Sequence, residues 1–268
     1  MELELQQLTT EVRRIATEAG NFLRKERQSF SRKSVVEKHA HDYVSYVDKE
    51  SERLLVGQLS ALLPEAGFIA EEGSGVYKDE AYCWVIDPLD GTTNYIHDNA
   101  PYCVSIALRS RTELLLGVVY EVCRDECFYA WKGGKAWMNG EELHVSKVGN
   151  IEEAFVITEL PYNHQQYKRT AEYLLKQLYG VVGGIRMNGS AASALCYVAA
   201  GRFDAWAEAF IGKGDYSAAA LIVLEAGGKV TDFYGSEHFI EGHHIIATNG
   251  PLHAVFQQLL EEVPPLDM

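Results

Sequence analysis

Apolar side chains recur at intervals of three and four residues near the start of the chain. This spacing places them on one face of an α-helix, whose period is 3.6 residues. It predicts an amphipathic helix that ends before Ser34, with the interspersed basic residues on a solvated face. The apolar positions are Leu8, Val12, Ile15, Ala19, Phe22 and Leu23, and the basic ones are Arg13, Arg14, Arg24, Lys25 and Arg27.

Short apolar runs bounded by turn residues follow and predict strands. We expect the second run to stop at Asp87 because Pro88 cannot donate a ladder hydrogen bond. Charged, turn-rich stretches separate the last three runs, so an antiparallel meander is expected there. The runs cover 67–70, 82–86, 104–108, 114–120 and 126–131, and helical spacing through Leu54, Leu55, Leu59 and Leu62 precedes them.

The pattern changes near Ile151, where helical and strand segments begin to alternate as in a layered α/β unit. We therefore expect an N-terminal α+β half, residues 1–150, and a C-terminal α/β half, residues 151–268, in one compact unit. The expected strands are 155–158, 183–187, 205–208, 229–232 and 245–248, and the expected helices are 165–178, an alanine-rich helix opened by 188–192, one from Tyr216 and one over 252–260.

Composition narrows the classes of function. The 268 residues are 47% hydrophobic and 23% charged, which is typical of a globular protein. The formal net charge of -14 argues against general binding to nucleic-acid backbones, because proteins that bind them gain affinity from clustered Lys and Arg. It is compatible with a phosphorylated small molecule if a bound cation reverses the local field.

The remaining global features predict a soluble, cytoplasmic protein without a membrane partner. The N-terminus lacks a basic head followed by an apolar segment, and no apolar run approaches membrane-spanning length. The five cysteines are scattered and contain no CxxC pair, so neither a disulfide framework nor a zinc site is indicated.

The chemistry is concentrated where the run 82–86 ends. Asp87 and Asp90 flank a proline, and Gly91 follows in a turn. Such a turn can direct both carboxylates and the Leu89 carbonyl toward one small volume, which suits the oxygen ligands that Mg²⁺ prefers. Residues 91–94 then begin a helical turn whose amides are available to a phosphate oxygen. Taken alone, the same motif also fits an ordinary surface turn.

Other acidic residues stand at similar places. The run 67–70 ends in Glu71 and Glu72, and since alternate strand residues face opposite sides, only one of the two can face the site. Asp48 and Asp215 each stand near a helix start, where a cap and a site role are both open. His243 and His244 point apart on an extended segment, so we do not expect a metal there.

The run from Trp84 through Asp87-Pro88-Leu89-Asp90-Gly91-Thr92-Thr93-Asn94 resembles the motif of the inositol monophosphatase family, and the resemblance extends from about Lys38 to Asn249. The family comprises magnesium-dependent, lithium-sensitive phosphatases, including fructose-1,6-bisphosphatases and 3'(2'),5'-bisphosphate nucleotidases. The resemblance implies a layered αβαβα sandwich with its site between the halves, and homodimers are usual.

The resemblance also assigns roles to residues. It implies that Asp48 pairs with Thr92 to polarise water, with Ser45 in a position where the family has Thr; Glu71 is an alternative base. Gly214 and Ser217 depart from the Trp-Asp-x-Ala-Ala pattern around Asp215. The implied metal ligands are Glu71, Asp87, the Leu89 carbonyl, Asp90 and Asp215, for two or three Mg²⁺ ions; the implied phosphate and substrate contacts are Gly91, Thr92, Gly189, Ser190, Ala191 and Glu208.

The implied activity is hydrolysis of a small polyol phosphate, foremost myo-inositol 1-phosphate, by a metal-activated water, with inhibition by Li⁺. A bisphosphate nucleotidase or a fructose-1,6-bisphosphatase would use the same metal core. Selectivity would then depend on Glu208, residues 189–191 and the loop 159–162. A non-catalytic metal- or phosphate-binding protein is the remote alternative. Such a protein is expected to have lost a metal ligand or Thr92, and this sequence retains all of them.

Overall fold

The computed structural model describes residues 4–32, 35–39, 42–160, 164–237, 239–242 and 244–260, with the backbone alone at 37–39, 42–44, 164–166 and 241. Its helices are α1 (Leu5–Arg27), α2 (Tyr46–Leu62), α3 (Thr92–His97), α4 (His164–Leu178), α5 (Ala191–Ala199), α6 (Lys213–Glu225) and α7 (His253–Leu260). Its strands are β1 (Val36–His39), β2 (Asp42–Val44), β3 (Gly67–Ala70), β4 (Tyr82–Asp90), β5 (Cys103–Ser110), β6 (Leu114–Glu121), β7 (Glu126–Trp131), β8 (Ala136–Met138), β9 (Glu141–Glu142), β10 (Phe155–Thr158), β11 (Gly184–Arg186), β12 (Ala205–Ala209), β13 (Lys229–Thr231) and β14 (His244–Thr248).

The first half of the chain builds a seven-stranded sheet in the order β3-β4-β5-β6-β7-β8-β9. Strand β3 runs parallel to β4, and every later neighbour is antiparallel, which confirms the predicted meander. Helices α1 and α2 cover one face of this sheet. The predicted apolar stripe of α1 is buried there, with Val12 and Leu23 fully inaccessible.

The second half builds a five-stranded sheet in the order β11-β10-β12-β14-β13. Strand β10 is parallel to both β11 and β12, whereas β14 is antiparallel to β12 and β13. Helices α4 and α7 pack on its outer face through residues such as Leu174 and Phe256. The strands and helices predicted for this half are therefore present, with shifts of one to three residues at some ends.

Helices α5 and α6 form the layer between the two sheets. Their alanine-rich faces permit a close approach, since a Cβ atom at Gly117 of β6 would lie 2.4 Å from the Ala218 carbonyl oxygen of α6. The order of layers is α1/α2, the large sheet, α5/α6, the small sheet and α4/α7, which confirms the αβαβα sandwich. A division at residue 150 stays a prediction, because α5 and α6 pack against both sheets.

Three local predictions were wrong or incomplete. Strand β4 does not stop at Ile86 but continues to Asp90, with a bulge between Asp87 and Asp90 that leaves Pro88 without a partner residue on β5. Helix α6 begins at Lys213, so Asp215 lies inside its first turn. The basic face of α1 is partly structural, because Arg24 donates to the Val122 carbonyl at 2.7 Å.

The remaining expectations concern membrane-spanning helices, the cysteines and the pair His243 and His244. Among the described residues no helix is both long and apolar enough to cross a membrane. The five cysteines are free thiols, four of them buried and Cys123 exposed. His243 lies outside the described residues, while His244 opens β14.

Candidate active site

Three carboxylates meet where β3 and β4 end beside the start of α6. The parallel register pairs Ala70 with Ile86, so the residues that follow, Glu71 and Asp87, lie at the same edge of the sheet. One carboxylate oxygen from each of Glu71, Asp87 and Asp215 lies within 4.8 Å of the others. The prediction that Glu71 rather than Glu72 belongs to this group agrees with its geometry.

The first turn of α6 is held against β4 and β5. Ser105 on β5 donates to the Gly214 carbonyl oxygen at 2.8 Å. A Cβ atom at Gly214 would lie 3.0 Å from the Ile86 carbonyl oxygen, so the backbone of the helix lies close to the strand at this position. The Asp215 carboxylate accepts from the Gly212 amide at 3.2 Å, so it caps the helix and also faces the group.

The three carboxylates repel one another in this arrangement. Burial raises the pKa of Asp87 well above its usual value, and the negative charges of Glu71, Asp215 and Asp90 raise it further. Burial, then Glu71 and Asp90, likewise raise the pKa of Asp215. A divalent cation would relieve this repulsion, and a set of carboxylate oxygens around a small volume is the donor set that Mg²⁺ binds. The residues present therefore fit the predicted metal.

Asp90 lies apart from the three-carboxylate group and ties the two halves together. Its Oδ2 accepts from Ser190 Oγ at 2.5 Å, the Ala192 amide at 2.8 Å and Cys103 Sγ at 3.4 Å. Burial raises the pKa of Asp90, and these hydrogen bonds oppose the rise. All three bonds go to Oδ2, and Asp90 also lines the cavity described below beside Asp215.

Thr92 and Asp48 form the predicted pair. Thr92 Oγ1 lies 3.1 Å from Asp48 Oδ1 and 3.0 Å from the Leu89 carbonyl oxygen, so its single proton is donated to one of the two at a time. Asp48 Oδ2 accepts from the amide and the hydroxyl of Ser45 at 2.9 and 2.7 Å. Asp48 is thus both the capping partner of α2 and the partner of Thr92, and burial raises its pKa.

Helix α2 supplies two more contacts that sequence reasoning missed. Glu52, fully buried, accepts from the amides of Glu72 and Ser74 at 2.6 and 2.7 Å and so holds the turn that contains Glu71. Ser51 donates to the Pro88 carbonyl oxygen at 3.2 Å. The sequence contained one signal for these contacts: Ser51 and Glu52 are polar residues on the buried face of α2, where apolar residues are expected.

The Gly91 turn brings the two halves into contact. Gly91 has φ of +88° and precedes α3, and a Cβ atom there would lie 3.0 Å from the Pro101 carbonyl oxygen and 3.2 Å from that of Gly189. Asn94 Nδ2 donates to the Pro101 and Asn188 carbonyl oxygens at 2.8 and 2.7 Å. These hydrogen bonds of Asn94, which sequence reasoning also missed, place the loop 188–190 beside the start of α3.

A cavity of about 190 Å³ opens beside the acidic group. Its lining includes four predicted substrate contacts, all from the second half, namely Gly189, Ser190, Ala191 and Glu208, and Asp90 and Asn94 line it from the first half. Glu208 is 8% exposed, and its Oε2 has no hydrogen-bond partner among the described residues. Burial raises its pKa well above the usual value, and the charges of Glu159 and Asp215 add to the rise.

Glu159 lines the same cavity from the end of β10. Its Oε1 accepts from the amides of Asn188 and Gly189 at 2.7 and 3.0 Å, so it supports the loop that carries the predicted ring contacts. Burial raises the pKa of Glu159 to about 7. Of the loop 159–162, Pro161 and Tyr162 lie outside the described residues.

Comparison with known proteins gives a consistent family. The family model described as "Inositol monophosphatase family" matches residues 4–264. The "Nus factor SuhB" of Pseudomonas aeruginosa is 41% identical over 261 residues, which cover 94% of each chain. The "Inositol-1-monophosphatase" of Rhizobium meliloti is 35% identical over 229 residues, covering 84% of this chain and 85% of that one.

Solved structures show the same architecture. The inositol monophosphatase of Anabaena (Nostoc) sp. superposes with a TM-score of 0.88 at 31% identity, over 98% of this chain and 99% of that chain. The likeness to this structure therefore spans nearly the whole of both chains.

Proposed function

We propose that this chain, a member of the inositol monophosphatase family, is a metal-dependent phosphatase that hydrolyses small polyol monophosphates, foremost myo-inositol 1-phosphate. The single observation that carries the proposal is the convergence of Glu71, Asp87 and Asp215 beside a cavity. A phosphatase needs positive charge next to a phosphoryl group, and this acidic site supplies it by holding cations.

Glu71, Asp87, Asp215, Asp90 and the Leu89 carbonyl would hold two or three Mg²⁺ ions. When bound, the ions supply Lewis acidity toward the phosphoryl oxygens and the leaving oxygen and lower the pKa of water. The raised pKa of Asp87 supports this assignment, because a carboxylate that is crowded by others gains most from a cation. Each carboxylate that the family resemblance requires for the metal site is present in this sequence.

Thr92 and Asp48 would orient the attacking water. Thr92 Oγ1 accepts a hydrogen bond from water when its own proton is donated to Asp48, and the 3.1 Å separation supports this relay. Water attacks phosphorus as the P–O ester bond breaks, and its proton passes to the Thr92–Asp48 pair or to Glu71. The polyol oxygen leaves with the bonding electrons and takes up a proton from solvent, which gives the alcohol and inorganic phosphate. Asp48 is suited to hold negative charge in place because Ser45 donates to its other oxygen twice.

The amides at the start of α3, of Gly91 and Thr92, would bind phosphoryl oxygens, as helix N-termini do. The substrate's polyol would lie in the cavity, where Glu208 accepts hydrogen bonds from hydroxyl groups. The unpartnered Oε2 of Glu208 supports this role, since a buried carboxylate oxygen requires a donor. Gly189, Ser190 and Ala191 would form the opposite wall.

The relatives' names leave the substrate open. The name of the Rhizobium meliloti relative agrees with an inositol ester, whereas "Nus factor" is said of the Pseudomonas aeruginosa relative. The prediction that this chain has no nucleic-acid partner rests on its net charge alone. A homodimer, a cytoplasmic location and sensitivity to Li⁺ also stay predictions.

Phosphate release from three esters tests the proposal. Myo-inositol 1-phosphate, fructose 1,6-bisphosphate and adenosine 3',5'-bisphosphate are each incubated with Mg²⁺, with Mg²⁺ and Li⁺, and with a chelator. We expect preference for the inositol ester, loss of activity on chelation and inhibition by Li⁺. Preference for a bisphosphate would keep the reaction and change the substrate, and no release from any ester would favour a non-catalytic binding protein.

A further inference from the structure

The cavity carries one carboxylate whose role the family assignment does not explain. Glu159 comes from the end of β10, and Glu208 comes from the neighbouring strand β12 in the same sheet. Both line the cavity. Burial is the main cause of the raised pKa of Glu208, and the negative charge of Glu159 raises it further. Two acceptors therefore share the part of the site that would receive the polyol.

Glu208 is the independent sign that this lining awaits a ligand. Its side chain is more than nine-tenths buried, yet Oε2 has no partner among the described residues. Hydroxyl groups of a bound polyol can donate to this oxygen. A phosphate dianion has no proton to donate and adds negative charge beside the Glu159 carboxylate, which is unfavourable in a partly desolvated cavity.

Glu159 is also fixed in position. Two amides of the loop 188–189 donate to its Oε1, at 2.7 and 3.0 Å, so its carboxylate cannot turn away from the cavity without breaking both bonds. The loop is held from its other side by Asn94, which donates to the Asn188 carbonyl oxygen. A carboxylate that is held in this way imposes its charge on whatever enters.

We propose that Glu159 is a specificity-determining residue, which together with Glu208 admits phosphate esters of neutral polyols and rejects esters that carry a second phosphoryl group. This inference rests on the proposed phosphatase function. Enzymes for polyol monophosphates and for bisphosphates would share the metal core. The negative charge of the cavity lining, rather than its shape, would then distinguish the two substrate classes.

The test uses two substrates that differ only by the second phosphate, fructose 1-phosphate and fructose 1,6-bisphosphate. They are compared at about pH 8, above the pKa of about 7 at Glu159. The wild type is expected to hydrolyse the bisphosphate with kcat/KM at least about tenfold lower, because one carboxylate repels a phosphate dianion within the cavity. A wild type that prefers the bisphosphate overturns the inference without any variant.

Glu159→Gln then removes the charge and keeps an oxygen that accepts from the two loop amides. We expect the ratio of kcat/KM for bisphosphate over monophosphate to rise about tenfold, with a melting temperature close to that of the wild type. Glu152→Gln is the matched control, because it makes the same change of charge at an exposed position; its ratio is expected to stay at the wild-type value.

The outcomes separate this inference from the function on which it rests. An active Glu159→Gln variant with an unchanged ratio overturns the specificity role alone. A wild type that hydrolyses neither fructose ester nor myo-inositol 1-phosphate overturns the proposed function and this inference with it. If Glu159→Gln loses its fold, the wild-type comparison of the two fructose esters decides the question: a preference of about tenfold or more for the monophosphate supports the inference, and equal kcat/KM values overturn it.

Discussion

At the scale of single residues, the site depends on side chains that serve structure and chemistry at once. Asp48 accepts from Ser45 with one oxygen and faces Thr92 with the other. Asp215 accepts from Gly212 and faces Glu71 and Asp87. The sequence posed cap and site roles as alternatives for both residues, and the geometry allows both. A helix N-terminus fixes a carboxylate in place, which is what a catalytic site requires.

Replacing Thr92 by Val tests the water-orienting role. The side chain keeps its shape but loses the hydroxyl that joins Asp48 and Leu89. We expect kcat to fall by about a hundredfold, the usual lower range for loss of a positioned proton-transfer group, while the melting temperature stays within a few degrees because Ser45 still donates to Asp48.

Thr92→Ser is the control for this variant, since it retains the hydroxyl and should keep most of the activity. Steady-state phosphate release measures both. Equal activity of the Val and Ser variants would remove Thr92 from the mechanism and leave Glu71 as the group that accepts the proton.

At the scale of elements, much of the site followed from local pattern and part of it did not. The placement of Glu71 directly after a strand, and of Asp48 and Asp215 in the first turn of a helix, was predictable within a few residues, because turn residues and apolar runs mark these places in the sequence. The extension of β4 through Pro88 was not, because a bulge depends on the partner strand β5. Glu52, Asn94 and the amide contacts of Glu159 join residues 20 to 94 positions apart, which no local pattern reveals.

Glu52→Gln tests whether helix α2 positions Glu71. The Glu52 carboxylate accepts from the Glu72 amide with Oε2 and from the Ser74 amide with Oε1. Glutamine has a single acceptor oxygen, so one of these two bonds is lost. We expect the Mg²⁺ concentration for half-maximal activity to rise about 10- to 100-fold, as for groups that orient metal ligands, with a smaller effect on kcat at saturating Mg²⁺.

Glu50→Gln on the exposed side of the same helix is the control, and its Mg²⁺ dependence should equal that of the wild type. Titration of activity with Mg²⁺ compares the three proteins. A Glu52→Gln variant with the wild-type Mg²⁺ dependence would show that the turn holds Glu71 without help from α2.

At the scale of the whole molecule, the site lies where the two halves meet. Asp90 from the large sheet accepts from Ser190 and Ala192 of the second half, Asn94 donates across to Asn188, and Ser105 donates to Gly214. The predicted location between halves agrees with these contacts. Because α5 and α6 pack between both sheets, the acidic residues that each half contributes to the site are held by one closely packed core.

The pH dependence of stability provides a test that is independent of activity. His253 is 2% exposed, with Nε2 2.9 Å from Thr231 Oγ1 and Nδ1 3.0 Å from Thr248 Oγ1. Because Thr231 Oγ1 donates to the Asp232 carbonyl, it accepts from Nε2–H, and in the neutral ring Nδ1 accepts from the Thr248 hydroxyl. Burial, then Lys229, lowers the pKa of His253 to about 4.

The unfolded chain binds this proton near pH 6.5 and the folded chain only near pH 4, so stability is lost as pH falls through that window, by on the order of 3 kcal/mol for this group. Urea unfolding at about pH 7 and pH 5 measures the loss. His253→Gln is expected to be less stable at pH 7 but to lose less stability between the two pH values. An equal loss in variant and wild type would contradict the neutral, buried His253.

Calorimetric titration of Mg²⁺ tests the central claim, that Glu71, Asp87 and Asp215 form a divalent-cation site, most directly. The wild type is expected to bind Mg²⁺, and Asp87→Asn, which removes the carboxylate at the centre of the group, is expected to bind it at least about tenfold more weakly. Glu152→Gln should bind as the wild type does. Absence of Mg²⁺ binding to the wild type, or equal affinity in Asp87→Asn, would contradict the account.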